Sequence, residues 1–486
     1  MPSPTFSITT YGCQMNKNDS ERIAGLLSSL GFVSTEDESR ADLIVINTCS
    51  VRQSAENRVY GSQEKYLEYK KEKPNMIVAV TGCMPGRDKA REFQKRLPAT
   101  DLYFPTPDMV HLPKWIAELR PDLVNSTDLE SDYLKIHPLR APSVQAYVTI
   151  QTGCNKFCTY CVVPYARGLE RNRSVADILQ ECRELVAHGI IEITLLGQTV
   201  NSFRTSDPEN FSSENPFCHS CGGRNPSDGS PGLAEPRPRM TNGDHFAALL
   251  WELNQLDGLE RLHWTAAHPL SMSDEVIAAL ALPKQVNYLH LPVQSGSNDV
   301  LRRMNRKYTR EQYLEKIAKI KAARPGIALG TDIIVGFPGE TREQFAETLS
   351  LYREVEFDVS YNAQYSPRSG TLGVKLYQDD IPKEEKRERW DDLQALMEDI
   401  TLKKNQALIG QTVSVLVDRI DHGFAIGNSR EMKLVRFPLP KNPLDPPYQG
   451  EAGLVGQIVH VRVTDAKAWV LTGELVGKKI PVLNFS

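Results

Sequence analysis

Three cysteines stand close together in "TGCNKFCTYCVVP": Cys154, Cys158 and Cys161. A closed structural metal site takes four side-chain ligands, and an iron–sulfur cubane is usually held by four thiolates. Three thiols leave one coordination position open, as catalytic metals do. Three further cysteines, Cys13, Cys49 and Cys83, lie 36 and 34 residues apart, and each directly follows a strand-like run. Strands of one parallel sheet end on the same edge, where α/β folds place their ligands, so these three thiols are expected to converge on a shared metal site. Cys182 falls inside an apparent helix. Cys218, His219 and Cys221 form a C-x-x-C knuckle with no second pair nearby, so an ordinary loop is expected there rather than a zinc site.

The elements that must position these thiols read as three units. "FSITTYGC", "ADLIVINTC" and "NMIVAVTGC" are strand-like, the last two apolar enough to be buried on both faces. "DSERIAGLLSSLG", "ENRVYGSQEKYLEYKKEK" and "GRDKAREFQKRL" alternate with them as helices. The pattern predicts a parallel α/β sheet domain over residues 1–125. From "AYVTIQTGC" to "VSYNAQYSPRSG", six strand–helix units follow in register, predicting a partial (β/α)6 barrel over 140–378. Gln198, His268, Gln294 and Tyr365 fall at strand ends around one expected mouth. Residues 202–244, rich in Pro, Ser, Gly and Asn, read as a surface insertion. Short strands with glycine turns then predict a small antiparallel β-barrel over 403–477, reached through a charged helix. Arg430, Lys433, Arg436, Lys441, Arg462 and Lys467 supply it with a basic face of the kind that grips nucleic acid.

Composition is that of a soluble globular protein: 486 residues, 40% hydrophobic, 24% charged, net charge -4. That balance excludes a globally basic nucleic-acid binder and leaves room for a local patch. Nine cysteines without an export signal argue against a disulfide framework. With no apolar run of membrane-spanning length, a cytoplasmic protein without membrane contact is expected.

The C-x3-C-x2-C spacing at the end of a first barrel strand resembles the radical S-adenosylmethionine (SAM) enzymes. "TYGCQMNKNDSERIAGLL", "VINTCSVRQSAENRVYG", "TGCMPGR", "GCNKFCTYCVVPYARGLERNRS", "LLGQTVNS", "HLPVQSGSNDVLRRMNRKYTREQYLE", "DIIVGFPGET" and "YSPRSGT" are together similar to the methylthiotransferases. These segments span nearly the whole chain, and the last unit resembles a TRAM domain. "TYGCQMN" and "CVVPYARG" look most like the MiaB-type branch, which acts on tRNA bearing N6-(dimethylallyl)adenosine beside the anticodon.

The resemblance implies two 4Fe–4S clusters, one on Cys154, Cys158 and Cys161 that cleaves SAM, and an auxiliary one on Cys13, Cys49 and Cys83 that carries or donates sulfur. One SAM would methylate that sulfur and a second would yield the radical that takes hydrogen from adenine C2. It further implies SAM or substrate contacts for Gln198, Asn201, Gln294 and Asp332, and anion or cofactor contacts for Arg167 and Arg173. Arg430, Lys433, Arg436 and Arg462 would hold tRNA. A flavodoxin- or ferredoxin-type electron donor, a sulfur carrier and a monomeric state complete the expectation. Alternatives are methylthiolation of threonylcarbamoyladenosine tRNA or of a ribosomal-protein aspartate, or a non-enzymatic iron–sulfur RNA-binding or redox-sensing protein. The long 202–244 insertion and "ERNRS", in place of a more usual Arg-Pro step, depart from the family pattern.

Overall fold

The computed structural model describes residues 3–124, 132–218, 243–439 and 453–476. The N-terminal sheet is parallel throughout. β1 (Thr5–Tyr11), β2 (Leu43–Thr48) and β3 (Ile77–Gly82) lie side by side at its centre, flanked by two-residue edge strands at Val33–Ser34 and Leu102–Tyr103. Alternate side chains point to opposite faces. Leu43, Val45, Ile77 and Ala79 pack with Ile23 and Leu27 of α1 (Gln14–Ser29). Ile44, Ile46, Val78 and Val80 pack with Val59 and Tyr66 of α2 (Gln53–Gly61) and α3 (Gln63–Glu72). Two buried faces are what the near-continuous apolar runs required.

Three helical expectations are corrected. α1 starts at Gln14, five residues before the predicted Asp19, because Cys13 is its N-cap. The helix after Cys49 is two helices, broken at Ser62. "GRDKAREFQKRL" forms no long helix. α4 (Cys83–Arg87) ends at once, and the Asp88 carboxylate accepts the N–H groups of Glu92, Phe93 and Gln94 at 2.8, 2.8 and 3.1 Å. Such a side chain competes directly with helical hydrogen bonding.

The central unit contains the six expected strands, all parallel: β4 (Gln145–Thr149), β5 (Glu192–Leu196), β6 (Arg261–Trp264), β7 (Tyr288–His290), β8 (Ala328–Val335) and β9 (Val359–Gln364). They form two three-stranded sheets joined by one bridge, Leu262 to Gln285, so the strands make an open arc. Its end strands are covered by side chains rather than by more strand, which protects otherwise sticky edges. On β4, Asn18 of α1 donates to the Tyr147 carbonyl (3.2 Å) and accepts from the Thr149 hydroxyl (2.8 Å).

The predicted surface insertion is integral at its start. Phe203 and Phe211 are buried in the central core, and Thr205 and Asp207 accept the first N–H groups of the helix Val175–Ala187. His219 and Cys221 lie outside the described residues; Cys218 lies against the central core.

The C-terminal unit is a closed five-stranded barrel around Val415, Val417, Val435, Phe437, Val461 and Leu471. It is antiparallel except where Leu434–Pro438 and Leu471–Leu475 run parallel to close it, a departure from the all-antiparallel expectation. It docks at the N-terminal ends of the arc's strands. Arg261, opening β6, donates to the carbonyls of Asn428 and Ser414 (2.9 Å each). The Asn287 N–H donates to the Arg430 carbonyl (2.7 Å), and Lys433 Nζ to the carboxylate of Asp358 (2.9 Å), just before β9. No helix among the described residues is long and apolar enough to cross a membrane.

Candidate metal and cofactor centre

Cys13, Cys49 and Cys83 follow the ends of β1, β2 and β3, three adjacent strands, and the thiols meet. Cys49 interacts with both partner thiols, and that interaction, with a contribution from the Arg167 guanidinium, lowers Cys13 to about 6 and Cys83 to about 7, while Cys49 itself is driven up. The Val51 N–H also points at Cys49 Sγ (3.3 Å). Gly-Cys pairs recur for a steric reason. At Gly82, φ is +103° and a methyl group would lie 2.4 Å from the Thr48 carbonyl oxygen. Asn16, in "CQMN", accepts from the Cys13 N–H and thiol (3.3 and 3.4 Å) and exchanges hydrogen bonds with Asn47 before Cys49.

Cys154, Cys158 and Cys161 occupy the loop beyond β4. Each sulfur has a donor: the Lys156 N–H (3.4 Å) on Cys154, which also lies 3.2 Å from Thr199 Oγ1, Arg306 Nη1 on Cys158 (3.3 Å), and the Val163 N–H on Cys161 (3.4 Å). Burial raises Cys154 and pushes Cys161 up to about 12, the neighbouring Cys158 adding to it. Thiols so buried ionise when a metal takes the proton's place. Cys13, Cys49, Cys83, Cys154, Cys158, Cys161 and Cys182 are free of disulfides. Among the described residues no three His, Cys, Asp or Glu side chains surround the place of a single ion; a cubane is a larger body that takes thiolates at separate corners. Three thiols at each site, with backbone N–H donors on their sulfurs, fit a cluster whose fourth corner stays open.

The two loops touch. α4, which begins at Cys83, packs on the short helix Val163–Ala166 that follows Cys161, at Gly86 and Ala166. Arg167 reaches from the second loop to Asp19 of α1 (2.5 Å, both buried) and lies beside Cys83. On the other side Arg368 of "YSPRSG" donates to the Val51 carbonyl (3.0 Å) and to Gln53 (2.6 Å).

Family comparisons agree with this division of the chain. The Radical SAM superfamily matches residues 148–352, the Uncharacterized protein family UPF0004 matches 5–105, and the TRAM domain matches 406–476. A tRNA-2-methylthio-N(6)-dimethylallyladenosine synthase of Geobacillus thermodenitrificans is 42% identical over 98% of this chain and 84% of its own. One of Clostridium botulinum (strain Okra) is 39% identical over 96% of both. The chain belongs to this synthase family. Among solved structures, the radical S-adenosylmethionine methyltransferase TsrM from Kitasatospora setae shares the fold, with a TM-score of 0.51 at 13% identity over 77% of this chain and 76% of that one.

In this member of the synthase family the remaining expected residues divide. Gln198 Oε1 is buried with no hydrogen-bond partner among the described residues, one residue from the Thr199 that touches Cys154. Gln294 holds a left-handed φ of +75°, a strained state typical of functional sites. Asp332 accepts from His290 Nε2 (3.0 Å), whose Nδ1 accepts from the Tyr288 hydroxyl (3.1 Å). A cavity of about 590 Å³ runs through the arc to the TRAM barrel, lined by Gln14, Arg52, His263, His290, Asp332 and Trp469 among others. Both ring nitrogens of His263 are buried there without partners.

Other expectations are redirected. Asn201 uses both ends of its amide on the His268 backbone (2.9 and 3.0 Å), so it positions that loop. Arg173 is bound by Glu181 (2.5 Å) and the Thr149 carbonyl (3.0 Å), because a buried guanidinium needs a carboxylate; its contacts are those of a packing residue. Tyr365 packs beneath the cysteine loop with Phe337. Arg430 and Lys433 are spent on docking the barrel, whereas Arg436, Arg462 and Lys467 are exposed. Lys441 lies outside the described residues. The sequence reading passed over Asp19, Thr199, Arg306 and Arg368, whose partners lie far along the chain.

Proposed function

We propose that this protein methylthiolates C2 of N6-(dimethylallyl)adenosine in tRNA, with Cys154, Cys158 and Cys161 holding a SAM-binding 4Fe–4S cluster and Cys13, Cys49 and Cys83 holding a second. Full-length identity of about 40% to synthases of that name carries the reading, and the packing of one triad's loop on the other's supports it.

Bound there, the clusters and SAM supply radical and sulfur chemistry that no side chain provides at an unactivated aromatic carbon. The chain's own part is positioning. Sheet and arc fix six thiols at strand ends, backbone N–H groups orient the sulfurs, and the cavity walls exclude water around a base drawn out of its stack. Its volume suits one modified base. His263 offers unused polar atoms to whatever enters. The exposed Arg436, Arg462 and Lys467 meet tRNA phosphates. An external electron donor, a sulfur carrier, a monomeric state and a cytoplasmic location go with this reading.

The test is nucleoside mass spectrometry on tRNA bearing dimethylallyladenosine, incubated anaerobically with reconstituted protein, SAM and reductant. The 2-methylthio nucleoside is expected from the wild type and not from Cys158→Ala. Formation of 5'-deoxyadenosine without that product would overturn the acceptor, and the threonylcarbamoyl tRNA and ribosomal protein would then be tried.

A further inference from the structure

Arg306 is a buried arginine with no carboxylate partner among the described residues. Arg87, Arg167, Arg261 and Arg389, equally buried, each face one: Glu56, Asp19, Glu192 and Glu340. Burying an unpaired guanidinium is costly unless an anion compensates it. Its Nε donates to the Tyr308 hydroxyl (2.9 Å) and Nη2 to the Pro292 carbonyl (2.9 Å), both neutral. Nη1 points at Cys158 Sγ (3.3 Å), with the Tyr160 hydroxyl at 3.5 Å.

The backbone is built to hold it so. Asn305 and Lys307, on either side, both adopt left-handed φ (+60° and +52°), a conformation that persists only where the surroundings enforce it. Asn305 also donates to the Phe157 and Lys156 carbonyls (2.9 and 3.3 Å), pinning the cysteine loop to the same segment. "RMNRKY" thus clamps the loop through Asn305 and delivers a charge to one of its sulfurs through Arg306.

We propose that Arg306 is the fixed counter-charge of the Cys154–Cys158–Cys161 cluster, a positioning residue that raises its reduction potential. The proposal rests on the cluster assignment above. Arg306 exchanges no electron; a cation and hydrogen bond at a ligand sulfur stabilise the more negative, one-electron-reduced state. Cys154 and Cys161 have only neutral hydrogen-bond partners, so the effect enters through Cys158.

The experiment uses the full chain with Cys13, Cys49 and Cys83 replaced by alanine, so that one cluster remains, and adds R306K or R306Q. After anaerobic reconstitution, bound iron and sulfide are counted and the midpoint potential is read by electron paramagnetic resonance titration. A more negative midpoint is expected in both variants, larger in R306Q, with 5'-deoxyadenosine formation from a weak reductant down at least tenfold. A loaded R306Q with the parent's midpoint overturns the inference. If R306Q is insoluble, R306M decides, because its side chain carries neither the charge nor a donor to Cys158. If the parent binds no iron, the cluster assignment fails instead.

Discussion

A methyl group built on Gly86 would lie 2.0 Å from the Ala166 carbonyl oxygen, so the loops carrying Cys83 and Cys161 meet backbone to backbone. The backbone oxygen has no rotamer to turn away, so Gly86→Ala must push α4 from the helix after Cys161. We expect about 1–3 kcal/mol of lost stability, as for an overpacked core, full iron content in each triad, and a methylthiolation rate down by at least tenfold with 5'-deoxyadenosine formation retained. Uncoupled radical formation, measured as the ratio of the two products, is the readout.

Glu181 joins α1 to the central unit by facing Arg22, Arg140 and Arg173. Burial pushes its carboxyl up, yet Arg173, Arg22 and Arg140 hold it at about 2. With the folded value below the unfolded 4.5, its stabilisation is complete above about pH 4.5 and is lost as pH falls toward 2. Glu181→Gln leaves Arg22 and Arg173 without a carboxylate, Arg140 keeping Glu21, and is expected to cost about 3–5 kcal/mol in denaturant unfolding at pH 7.

His263 and His268 are kept neutral in the fold, chiefly by burial, at about 4 and about 2. An unfolded histidine binds its proton near pH 6.5, so below that pH the unfolded state gains protons and stability falls. His263 alone accounts for roughly 3 kcal/mol by pH 4 at 1.36 kcal/mol per pKa unit. Melting curves from pH 7 to 4 are expected to fall steeply for the wild type and less steeply for His263→Gln.

In the TRAM barrel, docking and gripping residues separate by experiment. The double variant Arg436→Ala, Arg462→Ala is expected to weaken tRNA binding and lower the salt slope by about 2, one per lost phosphate contact. Lys433→Ala is expected to leave the slope unchanged and to lower the melting temperature, since its amine is held by Asp358 and Asn405. Filter binding across a salt series distinguishes them.

The places of the six cysteines just past strand ends were legible because strand ends and short spacing are local signals. The sheet's two buried faces were legible in "ADLIVINTC" and "NMIVAVTGC" for the same reason. Arg306, Asp19 and Arg368 were not, because each acts on a partner 148 to 317 residues away and nothing in its neighbours marks it. Arg173 misled in the opposite sense, since an arginine beside a cysteine loop reads as an anion binder until Glu181 is seen next to it. The missing helix after Cys83 turned on one aspartate, Asp88, whose carboxylate outcompeted a favourable composition.

The TRAM barrel sits at the starting ends of the arc's strands, and Cys154, Cys158 and Cys161 follow the finishing end of β4. β8, the arc's longest strand at eight residues, spans about 26 Å between those two ends for a rise near 3.3 Å per residue. An RNA held at one end and reacting at the other is therefore measured as by a caliper. A nucleotide presented much nearer to the grip, or much farther from it, would miss the sulfur even with the right base, so distance along the RNA becomes part of what the protein reads.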